Sequence, residues 1–150
     1  MTEISPTYGR AIVRNIFELH DSLSCRNAYK EFQSIVEATN WSFFTYASGA
    51  LYDGIFFHAM KVLDKHKDAA SFFYIRNCNQ EIVDQELHKQ DLRVEHIDGV
   101  AKKLKTIRDK THFHIDKNGV INPQSVWKEA NLTGDNLSEV LDKLWVVLSQ

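Results

Sequence analysis

Cysteine is scarce in this chain. Its 150 residues include two cysteines, Cys25 and Cys78, and they form no C-x-x-C pair. Small secreted domains are usually held together by several disulfides, so this composition does not indicate one. Nothing at the N-terminus has the pattern of a signal peptide. We therefore expect free thiols and a cytoplasmic location.

Long hydrophobic runs are also missing. The most apolar stretch, residues 41–63, is interrupted by Asp53, Gly54, His58 and Lys61. A membrane-spanning helix needs about 20 consecutive, predominantly apolar residues. The stretch therefore predicts a buried helix, and no membrane partner is expected. His58 lies on its core stripe, which predicts a buried neutral histidine with one hydrogen-bond partner or, alternatively, a side chain beneath a functional site.

Neither sign of charge dominates. The 18 lysines and arginines and the 20 aspartates and glutamates give a formal net charge of −2. This balance argues against a strongly basic protein that binds nucleic acid nonspecifically. Any contact with RNA would have to come from a local patch. The candidate cations share one predicted helix: Lys102, Lys103, Lys105, Arg108 and Lys110. For most of these lysines, a solvated outward face is the simpler interpretation.

Sheet-forming and nucleotide-binding motifs are absent as well. No alternating run argues convincingly for a strand, and there is no glycine-rich phosphate loop, G-x-S-x-G elbow or Cys/His nucleophile pattern. An apolar content of 43% is enough for a substantial core at this length. We expect an all-α fold, a helical bundle of about five to six helices, in a single domain over residues 1–150.

The helical periodicity locates the N-terminal helices. A first segment runs from about residue 7 to 39, and its two apolar sets are offset near residues 20–22, which predicts a kink or a break into two helices. Asn40 is predicted to cap the next helix. Residues 77–90 are polar, with few apolar positions, and are predicted to form a weakly held helix or a loop.

The C-terminal part has clearer signals. Asn122 and Pro123 have the pattern of an N-cap followed by a first helical residue, and they predict a short helix. The final helix carries a broad apolar face, made of Leu137, Val140, Leu141, Leu144, Val147 and Leu148. Such a face predicts burial against the rest of the bundle.

The most informative stretch is Ile107–Asp116, with the sequence Ile-Arg-Asp-Lys-Thr-His-Phe-His-Ile-Asp. Arg108 is a permanent cation that can hold a phosphate by bidentate hydrogen bonds. A histidine can exchange a proton near neutral pH. Held together, these two groups are the minimum equipment for cutting a phosphodiester without a metal, through the neighbouring 2′-hydroxyl. The position of the run, late on a long helix, favours this interpretation over a solvated helix end.

The motif helix begins near Leu92 and carries a stripe that must pack against something, made of Ile97, Val100, Leu104 and Ile107. By helical counting, Arg108 and His114 lie near opposite edges of this stripe, so one straight helix would not press them together. Two copies packed antiparallel about a two-fold axis would bring each arginine towards the partner's histidine. Alternatively, the helix ends or bends near His114 and the pair forms within one chain.

This motif resembles the R-x4–6-H signature of HEPN domains, in which the first intervening residue is usually polar, here Asp109. Among HEPN proteins, the closest likeness is to the abortive-infection, U-type branch. In that branch, a hydrophobic helix ending in an acidic turn is followed by an Asp-rich short helix and then by R-D-K-x-x-x-H-x-D. The corresponding segments here are Phe56–Asp64, Lys67–Phe73 and Arg108–Asp116.

The resemblance implies an RNA-cleaving homodimer of antiphage or toxin–antitoxin type, with Arg108 and His114 as the catalytic pair. His114 would move protons, and Arg108 would hold the scissile phosphate. Among the supporting residues, Asp109 would orient Arg108 or polarise the site, and Asp116 would fix the tautomer of a nearby histidine. His112 would be a second proton carrier or a substrate contact. No metal or other cofactor is expected, and an antitoxin or defence-system protein is an expected partner.

Two other interpretations stay open. His112, His114 and Asp116 have the chemistry of metal ligands. On a helix, however, residues two apart point to nearly opposite sides, so a metal site would need an extended segment. In the second interpretation, the chain is a noncatalytic HEPN-like helical dimer that binds a protein or nucleotide, and Arg108 and His114 form interface hydrogen bonds. An open cleft beside this pair favours catalysis, and a closed interface favours the binding module.

Overall fold

The computed structural model describes residues 6–39, 41–112 and 123–150, and of residues 111, 112, 123 and 124 it describes the backbone only. Every regular element in these ranges is helical, which confirms the expected all-α fold there. The described ranges contain seven α-helices and one π-helical turn, more than the five to six helices expected.

The seven helices are α1 (Pro6–Thr39), α2 (Ser42–Val62), α3 (Phe72–Cys78), α4 (Gln80–Lys89), α5 (Val94–Ile107), α6 (Pro123–Ala130) and α7 (Gly134–Leu148). The π-helical turn, Arg108–His112, follows α5 directly. None of the described helices has both the length and the apolar character that a membrane crossing requires.

Helices α1 and α2 form a long antiparallel hairpin. The 34 residues of α1 extend for about 51 Å at 1.5 Å per residue. α1 runs through residues 20–22 as one helix, so the predicted break is wrong. α2 begins at Ser42 with Trp41 in the N-cap position, one residue later than predicted for Asn40, which lies outside the described residues.

Polar residues occupy the buried face of α1, which explains the misleading offset in its apolar pattern. Asn15, Glu18 and Ser22 are buried there. The Ser22 hydroxyl donates to the carbonyl of Ile55 at 2.8 Å, and Asn15 Nδ2 donates to the carbonyl of Ala70 at 2.6 Å. A count of apolar side chains cannot detect a helix face that is buried through hydrogen bonds.

Residues 80–89 form a regular helix, α4, so the loop alternative for residues 77–90 is wrong. Val83 and Leu87 are buried in the core. Arg76 of α3 also donates two hydrogen bonds to the Asp84 carboxylate, from Nε at 2.6 Å and from NH2 at 2.8 Å. These contacts hold a helix whose sequence is mostly polar.

Two predicted core faces are confirmed. The stripe of α5 is at most 2% exposed at each of its four positions, and α2, α6 and α7 of the same chain pack against α5. All six apolar residues predicted for the last helix are buried in α7. Because the α5 stripe is covered within one chain, it is not available as an interface with a second copy.

Candidate functional site

Arg108 lies where α5 changes from α-helical to π-helical hydrogen bonding. Ile107, the residue before it, is fully buried, whereas the Arg108 side chain keeps 27% of its surface exposed. A π-helical turn closes i→i+5 hydrogen bonds, and such turns are frequent at functional sites. Counting at 3.6 residues per turn therefore fails over Arg108–His112.

A pocket of about 420 Å³ opens beside Arg108, between the segment that follows α2 and helix α5. Its apolar lining consists of Met60, Leu63, Ala101 and Leu104. Its polar lining consists of Asp64, Lys65, His66, Lys67, Lys102, Lys105 and Arg108. Four lysines and one arginine outnumber the single carboxylate of the lining, and they still outnumber three carboxylates when Asp98 and Asp109, which bind lining cations, are included. The volume is in the range of small-ligand sites, about 300–1,000 Å³, and the charge favours an anion.

Two carboxylates flank the Arg108 guanidinium. Its Nε donates to Asp109 Oδ1 at 2.9 Å, and its NH1 lies 4.0 Å from Asp64 Oδ2. The second distance is too long for a hydrogen bond. No other contact with the described residues engages the guanidinium. Its terminal N–H groups can therefore serve a ligand in the pocket, in the forked geometry that suits a phosphate.

Asp109 connects Arg108 to Lys105. Lys105 Nζ donates to Asp109 Oδ2, while Arg108 uses Oδ1 of the same carboxylate. The hydrogen bond from Lys105, followed by that from Arg108, lowers the pKa of Asp109 despite some desolvation. Asp109 is therefore ionised at neutral pH, in contact with the arginine that it was predicted to orient.

Asp98 makes a second internal ion pair at the edge of the pocket. It accepts from Lys102 Nζ at 2.8 Å and also from Lys65 Nζ. The hydrogen bond from Lys102, followed by that from Lys65, lowers the pKa of Asp98. Asp98 thereby joins the α2–α3 connection to α5.

The predicted site residues have different outcomes. Arg108 and Asp109 are adjacent at the pocket, as stated above. His114 and Asp116 lie outside the described residues, and for His112 the description covers only the backbone. The catalytic pair and its supporting residues therefore remain predictions.

The predicted lysine patch divides into two groups. Lys102 and Lys105 line the pocket. Lys103 instead donates to the carbonyl of Asn131 at 2.7 Å, and Lys110 donates to both carboxylate oxygens of Glu129 at 3.0 Å. The latter two lysines hold the end of α5 against the α6 region.

The sequence interpretation missed the residues from the α2–α3 connection. Lys65, His66 and Lys67 line the pocket opposite α5. Their signal was present as a short basic run directly after the acidic residue Asp64. Only the tertiary fold shows that this run faces Arg108.

A second charged cluster surrounds Glu18, whose side chain is 5% exposed. Glu18 Oε2 lies 2.6 Å from His58 Nδ1, and Lys61 Nζ donates to both carboxylate oxygens at 3.1 Å. Arg14 NH2 lies 2.5 Å from Oε1. His58 thus has a single hydrogen-bond partner among the described residues, as predicted, but the partner is a carboxylate, and the side chain is 21% exposed rather than buried as predicted. The cluster joins α1 to α2.

No protein-family model, curated protein or solved structure matches this chain. Within the described residues, no group of three or more histidine, cysteine, aspartate or glutamate side chains could hold a metal ion. A function must therefore be inferred from the pocket around Arg108 and from the motif that follows it.

Proposed function

We propose that this protein is a metal-independent endoribonuclease of the HEPN type, acting as a homodimer in antiphage or toxin–antitoxin defence. The observation that carries the proposal is the position of Arg108 in a pocket lined by Lys65, Lys67, Lys102 and Lys105. The positive charge of this lining suits the phosphate groups of RNA. It is confined to one pocket, which agrees with a net charge of −2 for the whole chain.

The proposed reaction uses the RNA's own 2′-hydroxyl as nucleophile. Its oxygen attacks the adjacent phosphorus, the bond to the 5′-oxygen breaks, and the products are a 2′,3′-cyclic phosphate and a 5′-hydroxyl. His114 moves the proton at the nucleophile or at the leaving oxygen. Arg108 holds the scissile phosphate and stabilises the charge that develops on it, while Asp109 keeps the guanidinium oriented.

The arrangement of the three segments that resemble the U-type branch also supports this proposal. Asp64 ends the first segment, Lys67 begins the second and Arg108 begins the third. All three residues line the same pocket. A chance occurrence of the motif would not require these separate segments to meet.

The buried α5 stripe restricts how a homodimer would build a composite site. A partner cannot pack on Ile97–Ile107, because the same chain covers this stripe. The partner's motif would have to approach from the open side of the pocket. Pairing of Arg108 with His114 of the same chain also agrees with the described residues.

Cleavage of total cellular RNA by the purified protein, in EDTA, tests the proposal. We expect new 2′,3′-cyclic phosphate ends. His114→Ala and Arg108→Ala should each reduce their formation by about a hundred- to ten-thousand-fold, because each removes a transition-state interaction. Arg93→Ala is the matched control, since Arg93 is an exposed arginine at the start of α5. Equal cutting by wild type and Arg108→Ala would contradict the proposal.

The second candidate function is a noncatalytic module that binds a nucleotide. The mixed lining of the pocket favours it, because apolar side chains such as Leu63 and Leu104 lie beside the cations. In this case, a labelled nucleoside triphosphate should bind at equilibrium, Arg108→Ala should weaken that binding, and no RNA should be cut.

A further inference from the structure

The pocket beside Arg108 has a histidine in its lining, His66. The other histidines whose side chains the structure describes, at positions 20, 58, 88 and 96, lie outside that lining. His66 belongs to the α2–α3 connection, opposite α5, and its side chain is 65% exposed. A ring that lines the pocket and is open to solvent is accessible to an RNA bound there.

One carboxylate connects His66 to Arg108. The backbone N–H of His66 donates to Asp64 Oδ1 at 2.9 Å, while Asp64 Oδ2 lies 4.0 Å from Arg108 NH1. The carbonyl of His66 also accepts from the backbone N–H of Ala69 at 3.0 Å. Two backbone hydrogen bonds thus hold His66 in place, on one side of the carboxylate whose other side faces the arginine.

Asp68 contacts the ring of His66 at Nδ1. The backbone N–H of Asp68 donates to Nδ1 at 3.3 Å, and Asp68 Oδ2 lies 3.8 Å from the same nitrogen. In a neutral ring, an Nδ1 that accepts a hydrogen bond leaves the proton on Nε2. In a protonated ring, Nδ1–H has the Asp68 carboxylate beside it as an ion-pair partner. Nε2 therefore carries a proton in both states, and no contact with the described residues engages it.

Cleavage through the 2′-hydroxyl needs two proton transfers. A base takes the proton from the 2′-oxygen as that oxygen attacks phosphorus, and an acid gives a proton to the 5′-oxygen as it leaves. The two oxygens lie roughly in line on opposite sides of the phosphorus. Two groups that approach the phosphate from different directions can serve them. The Arg108–Asp116 motif and the α2–α3 connection are two such directions.

The contacts of His66 suit an acid rather than a base. A base would need a bare Nε2 at the start of the reaction, and the neutral ring would then lose the hydrogen bond from Asp68 N–H, because its proton would lie on Nδ1. An acid uses the protonated ring. After the transfer, the remaining proton lies on Nδ1, beside the Asp68 carboxylate.

We propose that His66 is the general acid of the ribonuclease and donates the Nε2 proton to the leaving 5′-oxygen. His114 accepts the proton of the 2′-hydroxyl, the bond from the 2′-oxygen to phosphorus forms, and the bond to the 5′-oxygen breaks. His66 ends neutral and His114 ends protonated, and exchange with water restores both. The proposal rests on the proposed function and assigns the second proton transfer to the opposite wall of the pocket.

An RNA with sulfur in place of the 5′-oxygen at one linkage tests this role. A thiolate leaves without receiving a proton, because thiols are far stronger acids than alcohols. On ordinary RNA, His66→Ala should cut about a hundred- to ten-thousand-fold more slowly than wild type. On the sulfur-containing RNA, it should cut at close to the wild-type rate, whereas His114→Ala should be slow on both. His88→Ala is the matched control, since His88 is an exposed histidine of α4 outside the pocket lining.

The failures of the two proposals are distinguishable. A wild type that cuts neither RNA overturns the ribonuclease, and the role of His66 falls with it. If wild type cuts and His66→Ala cuts ordinary RNA equally well, the role of His66 alone is overturned. The same holds if His66→Ala is slow on both RNAs. Unchanged circular dichroism, and affinity for an uncleavable 2′-deoxy analogue within about twofold of wild type, should accompany the loss of rate, since His66 is exposed.

Long-range ¹H–¹⁵N spectra of the histidine rings test the loop geometry without any cleavage. We expect the neutral His66 ring to carry its proton on Nε2, because Nδ1 accepts from Asp68 N–H. A neutral ring with its proton on Nδ1 would overturn the proposed donor.

Discussion

The Sγ atom of Cys25 lies 2.8 Å from the position that a Cβ atom would occupy at Gly54. Helices α1 and α2 therefore meet at a point where one of them has no side chain. Gly54 is conformationally ordinary, since it lies within helix α2. Its role is to provide space for the thiol of the facing helix.

Gly54→Ala should destabilise the protein by about 1–3 kcal/mol, because the new methyl group overlaps Cys25 Sγ and forces the helices apart. Urea unfolding followed by circular dichroism measures the change. Gly49→Ala is the matched control: a Cβ at this position in the same helix meets nothing within 4 Å. It should stabilise by about 0.5–1 kcal/mol through helix propensity.

A double substitution identifies the cause of the Gly54 effect. In a Cys25→Ala background the overlapping sulfur is gone, so Gly54→Ala should become neutral or stabilising. An equal loss of stability in both backgrounds would show that the contact with Cys25 is not responsible.

The two thiols should differ in reactivity. Burial, followed by the charge of Asp21, raises the pKa of the Cys25 thiol, so a smaller fraction is thiolate at neutral pH. Cys78 is exposed. We expect an alkylating reagent to modify Cys78 first at about pH 7, with Cys25 reacting only as the pH is raised beyond the usual thiol range of about 8.5. Peptide mass spectrometry measures both rates, and equal rates would contradict the expected order.

Glu18 should account for part of the acid sensitivity of the fold. Burial alone would raise its pKa, but the hydrogen bonds from His58 and Lys61 and the charges of Lys61 and Arg14 together lower it. A lowered folded-state pKa means that the unfolded chain binds the proton more tightly. The resulting stability is therefore complete above the unfolded-state pKa of about 4.3 and is lost as the pH falls towards the folded-state value.

Glu18→Gln should lower the free energy of unfolding at neutral pH by about 1–3 kcal/mol, because this nearly buried position loses the anionic acceptor of the hydrogen bonds with His58 and Lys61. Its stability should also fall less steeply than that of wild type between about pH 5 and pH 3. Urea unfolding across this range measures both effects. Glu31→Gln, an exposed position on the same helix, should match wild type. If Glu18→Gln loses stability at low pH as steeply as wild type does, Glu18 is not the source of that loss.

The pocket lysines should contribute to RNA affinity. Lys65→Ala and Lys102→Ala should each weaken binding of a short single-stranded RNA by about two- to fivefold, the effect of losing one exposed charge interaction. Fluorescence anisotropy at fixed salt measures the affinity. Lys128→Ala, which removes an exposed lysine of α6 outside the pocket lining, should bind like wild type. Equal losses in all three variants would indicate a general charge effect.

The sequence predicted best those parts of the fold in which apolar spacing reports burial. The α5 stripe around Leu104 and the α7 face around Leu144 are buried as expected. It failed for α1, because Glu18 and Ser22 are buried through hydrogen bonds and interrupt the apolar pattern. It also predicted α4 only as a weakly held helix or a loop, because apolar spacing does not reveal the two hydrogen bonds from Arg76 to Asp84 that attach α4 to α3.

For the candidate site, the sequence indicated Arg108 and its lysine neighbours but not the opposite wall of the pocket. Lys102 and Lys105 share a helix with Arg108, so local counting brings them near it. Lys65 and Lys67 come from a connection much earlier in the chain, and only packing of α2 against α5 brings them close. The π-helical turn also has no simple sequence signal, so helical counting was wrong over Arg108–His112.

Carboxylates of the same chain already neutralise part of the positive charge of the pocket. Asp98 already neutralises Lys65 and Lys102, and Asp109 already binds Lys105 and Arg108. A phosphate that enters can bind the terminal N–H groups of Arg108 directly, but it must compete with Asp98 for Lys65 and Lys102. Lysines that stay paired with Asp98 neutralise no phosphate, so fewer counterions are released from the RNA than the number of pocket cations suggests, and the salt dependence of binding is correspondingly shallow.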